Sequence, residues 1–241
     1  MHSSFIGGVL LSVISFGQKA PLYDYKSDNY LQVFGSKYID ACSYFATNSW
    51  ISDTLKSYKV DPAIAVAIVF PELIRYSALS DKFETGALLT LYVQYGQKYA
   101  DFSIGHFQMK PTFAKQLETD LQKLPAEEKN CCFRFDVNET EKARLERVKR
   151  LDSPIWQVRY LIYFIKIMDS KYASKFWTTT SEKLTFYATA YNCGYTLPEP
   201  KIREKLQSKL FYTSLLKGNI CYSYSAIAVD FYQSLFKALS R

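Results

Sequence analysis

The side chain best suited to chemistry in this sequence is the carboxylate of Glu72. Ile64, Ile68 and Glu72 recur every fourth residue, which places Glu72 on the apolar face of a predicted helix. Arg75 is the one cation three or four positions away from it. An apolar surrounding disfavours the charged carboxylate, so we expect a raised pKa. A carboxylic acid that stays protonated near neutral pH can protonate the leaving oxygen of a glycosidic bond.

Two downstream segments have residue types that suit a polar ligand. The first contains Gly105, Gln108 and Pro111 in the pattern Gly-x-x-Gln-Met-x-Pro. The second, Ala190–Gly194, has the pattern Ala-Tyr-Asn-x-Gly. Its Tyr191 shares one helical face with the apolar residues three, four and seven positions before it, so the ring can point inward.

Taken in chain order, the Glu, the Gly-x-x-Gln-Met-x-Pro pattern and the Ala-Tyr-Asn-x-Gly pattern resemble the superfamily of goose-type lysozymes and soluble lytic transglycosylases. Those enzymes cut the glycan strands of peptidoglycan. The resemblance covers about Asp61 to Gly194. It implies a mainly α fold, a lysozyme-like helical domain with a small loop or β-hairpin lining the cleft.

The resemblance also implies roles for individual residues. Glu72 would be the catalytic acid and base, with the Tyr191 hydroxyl reaching it as part of the catalytic set. The loop would form the cleft wall facing Glu72, where Gly105 lets a glycan approach the backbone and Gln108 offers a donor and an acceptor. The residues implied to bind substrate are Gly105, Phe107, Gln108, Asn192 and Tyr76.

Two departures from the family pattern keep several functions open. Leu73 follows Glu72 where the family usually has Ser, which leaves room for an inactive protein that binds glycan or an envelope protein. Lys110 stands where goose-type lysozymes have an acid, which favours a transglycosylase. A water-using muramidase would need a second carboxylate about 6.5–9.5 Å away, and Asp101 is its best candidate.

The predicted elements that position these residues are mostly helical. Apolar residues make up 48% of 241 residues, and Gly (9) and Pro (8) are scarce, which favours one helical core. Asp61 and Pro62 predict a helix start, and the helix is expected to reach about Tyr76 with a kink or early stop at Pro71. Further helices are predicted over 38–59, 84–95, 111–124, a polar segment ending at 150, a long buried segment from 154, 179–192 and 224–239.

The predicted domain organisation has one catalytic domain and two extensions. Residues 61–195 would form the lysozyme-like domain with inserted segments, and residues 18–60 an N-terminal extension with a first helix. Residues 196–241 would form a C-terminal helical extension, with 199–220 as a connecting region. Residues 1–17 have an apolar run too short to span a bilayer and resemble a signal peptide. We therefore expect an exported protein of the periplasm or cell envelope, at most peripheral to a membrane.

The charge and the cysteines limit the partners. A net charge of +7 with 20 Tyr and 17 Phe suits an anionic polymer, and we expect peptidoglycan rather than nucleic acid, because the basic residues form no single stripe. The densest basic run, 142–150, alternates with Glu at ion-pair spacing and predicts a solvated helix face. Five cysteines leave at least one unpaired, and two histidines without a Cys-x-x-Cys pattern predict no metal; no cofactor is expected.

Overall fold

The computed structural model describes residues 29–76, 83–125, 135–212 and 221–239, and it is mainly helical. The chain divides into two compact units at 78/79 and 174/175, so that both chain ends belong to the first unit and the middle forms the second. The predicted boundaries at 18–60, 61–195 and 196–241 stay a prediction.

The elements of the first unit come from both ends of the chain. They are α1 (Tyr30–Phe34), α2 (Ser36–Thr47), α3 (Trp50–Ser57), α4 (Pro62–Tyr76), α9 (Thr180–Cys193), α10 (Glu199–Glu204), β1 (Lys209–Phe211), β2 (Tyr222–Ser223) and α11 (Tyr224–Leu239). The elements of the second unit are α5 (Phe83–Tyr95), α6 (Pro111–Leu121), α7 (Glu141–Asp152) and α8 (Pro154–Lys171).

Helix α4 is the central element of the first unit. It contacts α2, α3, α9 and α11, and twelve of its fifteen residues are buried. Its start follows the prediction, because the Ala63 N–H donates to Asp61 Oδ1 at 2.8 Å and Pro62 occupies the first turn. The surrounding helices therefore hold α4, and with it Glu72, on several sides.

Pro71 does not end α4. The helix continues through Pro71 to Tyr76, so the predicted early stop is wrong and the predicted end at about Tyr76 is confirmed. Proline removes one helical hydrogen bond, but packing compensates here. The Phe70 ring stacks on the Phe231 ring of α11 at 3.7 Å between centroids, and the Tyr38 ring of α2 meets it edge-on at 4.8 Å.

Helix α9 begins at the predicted capping box. The Glu182 N–H donates to Thr179 Oγ1 at 3.1 Å, and the Glu182 carboxylate accepts from the Thr178 N–H at 2.9 Å. The helix ends at Gly194, whose φ of +102° suits a residue without a side chain. These two ends fix the position of Tyr191 in the last turn.

Short strands complete the first unit. β1 pairs with β2 in an antiparallel arrangement, and β2 leads directly into α11. The sequence interpretation treated 199–220 as a connecting region, but α10 and β1 lie in it. The helical pattern over 38–59 is likewise two helices, because α2 ends at Thr47 and α3 begins at Trp50.

The second unit is built around α8, whose apolar side is buried against α6 and α7. Helix α5 contacts α7. The polar helix α7 corrects the sequence interpretation, because Arg144 and Arg147 are buried rather than part of a solvated face. The ion pair between Lys149 and Glu146, at 2.9 Å, is on the exposed side.

Two predictions concern residues that the structure does not describe. The signal peptide over 1–17 and the adjacent Cys131 and Cys132 lie outside the described residues. Cys42, Cys193 and Cys221 are free thiols. Across the four described ranges, no helix has both the length and the apolar composition needed to cross a membrane.

Candidate functional site

Glu72 is buried in the first unit. It is 3% exposed, so its carboxyl does not swing out into water from the end of α4. Burial raises the pKa of Glu72 from its usual value of 4.5 to about 7, and the nearby Arg75 guanidinium opposes that rise. The predicted direction of the shift is confirmed. A group with this pKa can both hold and release a proton near neutral pH.

Arg75 is the charged partner of Glu72. Its Nη2 lies 2.8 Å from Glu72 Oε2, yet this pair lacks the alignment of a hydrogen bond. The guanidinium carbon also lies 5.2 Å from the centroid of the Phe211 ring. The side chain of Arg75 is 20% exposed, so solvent screens part of its charge. Burial of the carboxyl therefore remains the larger effect on its pKa.

Two tyrosines from other helices lie close enough to Glu72 to interact with it electrostatically. The rings of Tyr191 (α9) and Tyr224 (α11) stack at 6.4 Å between centroids, with 29° between their planes. The charge of Glu72 acts on both hydroxyls, and burial together with that charge raises the pKa of each tyrosine well above its usual value. The Tyr224 hydroxyl donates to the Ile68 carbonyl at 2.9 Å. Its interaction with Glu72, like that of Arg75, opposes the rise in the pKa of that carboxyl.

Tyr191 was predicted from its motif, and Tyr224 was not. Tyr224 is 152 positions after Glu72 and is the first residue of α11. No pattern around it distinguishes it from the many other tyrosines of the chain. Only the packing of α11 on α4 brings its hydroxyl to Glu72.

Asn192 and Tyr76 differ in their surroundings. Asn192 is exposed and lines a small pocket in the first unit with Thr189, Cys193 and Tyr224. Tyr76 is half-buried at the end of α4, close enough to Tyr44 to act on its hydroxyl electrostatically. Both positions stay compatible with ligand contact.

The predicted Gly105 loop of the second unit is a short β-hairpin. Ile104 and Met109 exchange both backbone hydrogen bonds, at 2.9 and 3.1 Å. Gly105 has a φ of +70°, and a Cβ there would lie 1.4 Å from Gln157 Nε2. The need for glycine therefore comes from the close approach of Gln157 within this unit, which is a different reason from the predicted approach of a glycan.

Phe107 and Gln108, in the same hairpin, make their hydrogen bonds within the second unit. Phe107 is 0% exposed, and its N–H donates to Gln157 Oε1 at 2.8 Å, so its ring belongs to the core and presents no surface to a ligand. The Gln108 amide donates to the Gly105 carbonyl at 2.8 Å, and Gln108 has a φ of +48°. The placement of this hairpin across a cleft from Glu72 stays a prediction.

Asp101 is engaged at the start of α6. Its carboxylate accepts from the Thr112 hydroxyl at 2.9 Å and from the Thr112 N–H at 3.3 Å. Lys110 Nζ lies 3.7 Å from Asp101 Oδ2. This arrangement satisfies an unpaired N–H of the first helical turn, which is a capping role. To act as the second catalytic carboxylate of a muramidase, Asp101 would have to break its hydrogen bonds with Thr112 and move away from Lys110.

Comparison of the chain with protein-family models, with curated proteins and with solved structures gave no match in any of the three. Within the described ranges, no group of three or more His, Cys, Asp and Glu side chains is arranged to hold a metal ion. The candidate site therefore depends on its own geometry, which is a buried carboxyl with one cation and two tyrosines.

Proposed function

We propose that this chain is an exported lytic transglycosylase with a lysozyme-like helical fold, which cuts the MurNAc–GlcNAc bond of peptidoglycan with Glu72 as its single acid and base. One observation supports this most directly, namely a buried carboxyl whose pKa is raised to about 7. The order of the three motifs, with Glu72 before Gly105 and Tyr191, adds to it. Action in the cell envelope is part of the same proposal.

The proposed reaction uses one carboxyl twice. Protonated Glu72 gives its proton to the glycosidic oxygen as the bond to C1 of MurNAc breaks. The carboxylate that forms then takes the proton of the MurNAc 6-hydroxyl, whose oxygen bonds to C1. The products are a 1,6-anhydro sugar and a free GlcNAc hydroxyl, and Glu72 is protonated again. Arg75, 2.8 Å from Glu72 Oε2, would stabilise the carboxylate between the two steps.

Water is the alternative nucleophile. A muramidase of the inverting type would use a second carboxylate as base, and Asp101 is the candidate from the sequence. Its carboxylate already accepts two hydrogen bonds from Thr112 and lies near Lys110. These contacts favour intramolecular attack over water.

A protein that binds glycan or an envelope protein without cleaving it is the second candidate function. The close approach of Arg75 to Glu72 favours it, because a buried Glu beside an Arg also serves a purely structural purpose. Leu73, 3% exposed where the family usually has Ser, points the same way. Such a protein would retain sacculi without turnover.

Digestion of purified sacculi, with products resolved by mass, separates these functions. We expect anhydro-muropeptides from the wild type and none from Glu72→Gln. Glu146→Gln is the matched control, because Glu146 is an exposed glutamate on α7 and its replacement should leave turnover unchanged. Reducing-end products would instead indicate a muramidase, and binding of sacculi without products a non-catalytic protein.

A further inference from the structure

The small pocket that Asn192 and Tyr224 line in the first unit adjoins the candidate site. It has a volume of about 40 Å³. A buried water needs roughly 10–15 Å³ of such space, so the pocket holds a group of about three non-hydrogen atoms. A carboxylate has that size, whereas a sugar ring is too large. Tyr224 connects the pocket with the candidate site, because it also interacts with Glu72.

Four hydroxyl groups line this pocket, and all of them already donate their protons. Each donates to a backbone carbonyl, at distances between 2.7 and 2.9 Å, and they belong to Thr189, Ser208, Tyr224 and Ser225. A hydroxyl has one proton, so these groups have none left for a ligand in the pocket. A ligand that needs donors must find them elsewhere in the lining.

Lys205 and Asn192 supply those donors. Lys205 lies directly after α10, is half-buried and lines the pocket. Among the residues that the structure describes, its ammonium has no carboxylate partner and the Asn192 amide has no hydrogen-bond partner. The Lys205 charge acts on the Cys193 thiol, which lines the same pocket. Of the described lining residues none is Asp or Glu, so the positive charge is not balanced within the pocket.

We propose that this pocket binds a carboxylate of the substrate, with the Lys205 ammonium as its cationic partner and the Asn192 amide as a second donor. Hydrogen bonds between charged groups are short and strong, so they would anchor the ligand beside the candidate site. The resemblance implied substrate binding for Asn192, but Lys205 lies beyond the segment that it covers. The identity of the ligand rests on the proposed function, because peptidoglycan has carboxylates on the lactyl group of MurNAc and on its stem peptides.

NMR titration with two pairs of ligands tests the proposal and separates the two sources of the carboxylate. The first pair is N-acetylmuramic acid and its methyl ester, and the second is muramyl dipeptide and its methyl ester. Each pair differs only in whether the carboxyl is charged. We expect the wild type to bind the acid about tenfold more tightly than the ester in one pair, and that pair identifies the source.

Lys205→Gln should remove this preference for the acid. Lys201→Gln is the matched control, because Lys201 is an exposed lysine of α10 that pairs with Glu204, and it should retain the preference. Equal binding of acid and ester by the wild type in both pairs would overturn the proposal. A preference that persists in Lys205→Gln would overturn it as well.

The Cys193 thiol allows a second measurement in the wild type, which does not depend on the folding of a variant. Its alkylation by iodoacetamide is followed by peptide mass, with Cys221 as the internal reference because Cys221 does not line the pocket. The preferred acid at about ten times its Kd should slow alkylation of Cys193 roughly tenfold and leave Cys221 unchanged. An unchanged rate at Cys193 would contradict binding in this pocket.

Failure of this proposal and failure of the proposed function are distinguishable. If the wild type prefers the acid and Lys205→Gln does not, but sacculi are not cleaved, the proposed function fails and the carboxylate site stands. If sacculi are cleaved to anhydro products without any preference for the acid, the proposed function stands and the carboxylate site fails.

Discussion

Glu72 of the first unit and Glu118 of the second are both buried glutamates on helices, 3% and 0% exposed, with different partners. Glu118 accepts from Arg147 Nε at 3.0 Å, from Arg150 Nη2 at 2.9 Å and from the Tyr160 hydroxyl at 2.5 Å. Glu72 has one partly exposed arginine and a tyrosine whose proton goes to a backbone carbonyl. Burial alone therefore does not distinguish a structural carboxylate from a candidate acid.

The two tyrosines show the difference most clearly. Tyr160 accepts from Arg150 Nε at 2.9 Å and passes its own proton toward Glu118. Tyr224 donates to the Ile68 carbonyl at 2.9 Å. Glu118 is thus a salt-bridged carboxylate, whereas burial raises the pKa of Glu72 to about 7.

The largest effect is expected from Glu118→Gln. It would leave the buried guanidinium of Arg147 without its carboxylate partner, and breaking a buried pair in this way costs about 3–5 kcal/mol of unfolding free energy. Urea unfolding at pH 7 measures this. Glu146→Gln, which removes an exposed pair with Lys149, should show no measurable change. A loss below about 1 kcal/mol for Glu118→Gln would show that the cluster is not a structural ion pair.

The next effect is the pH dependence of stability that comes from Glu72. Since its folded pKa is about 7 and its usual value is 4.5, the folded state binds more protons between these pH values, and stability falls as pH rises through that window. The full shift corresponds to at most about 3 kcal/mol. Urea unfolding from pH 4 to 8 should show this contribution in the wild type.

The matched variant is Glu72→Gln, which cannot ionise. Its unfolding free energy should lack the decline between pH 4.5 and 7 that Glu72 causes. An identical pH profile for the variant and the wild type would contradict the raised pKa of Glu72. Glu118→Gln should retain the decline, because it leaves Glu72 in place.

A smaller effect is expected from Tyr160→Phe. Loss of the hydroxyl removes one donor to Glu118 and one acceptor for Arg150, while the two arginines remain in contact with the carboxylate. We expect a loss of about 1–2 kcal/mol in unfolding free energy. Thermal or urea unfolding at pH 7 measures it, and a loss as large as that of Glu118→Gln would mean that Tyr160, rather than the arginines, organises the cluster.

The sequence predicted the helices well where local signals define them. The Asp61–Pro62 start of α4, the capping box of α9 and the extent of α11 from Tyr224 all agree with the structure. These signals depend on residues within one or two turns of each other. The short strands β1 and β2 were missed because strands of three and two residues have too few positions for a periodic pattern.

The interpretation of α7 failed for a related reason. Its alternating charges have the spacing of surface ion pairs, but Arg144 Nε donates to the Val93 carbonyl at 2.8 Å and Arg147 pairs with Glu118. Those partners lie 51 and 29 positions away. Helical spacing shows which residues share a face, but not which face another helix will cover.

By itself, the sequence determined that Glu72 lies on the apolar side of a helix and that Tyr191 points inward from another, because both follow from helical periodicity. The tertiary structure decided what surrounds the carboxyl. Tyr224 meets Ile68 from 156 positions away, and Gly105 is required by Gln157. Such contacts depend on how helices pack, and no local spacing specifies the direction in which a distant hydroxyl donates its proton.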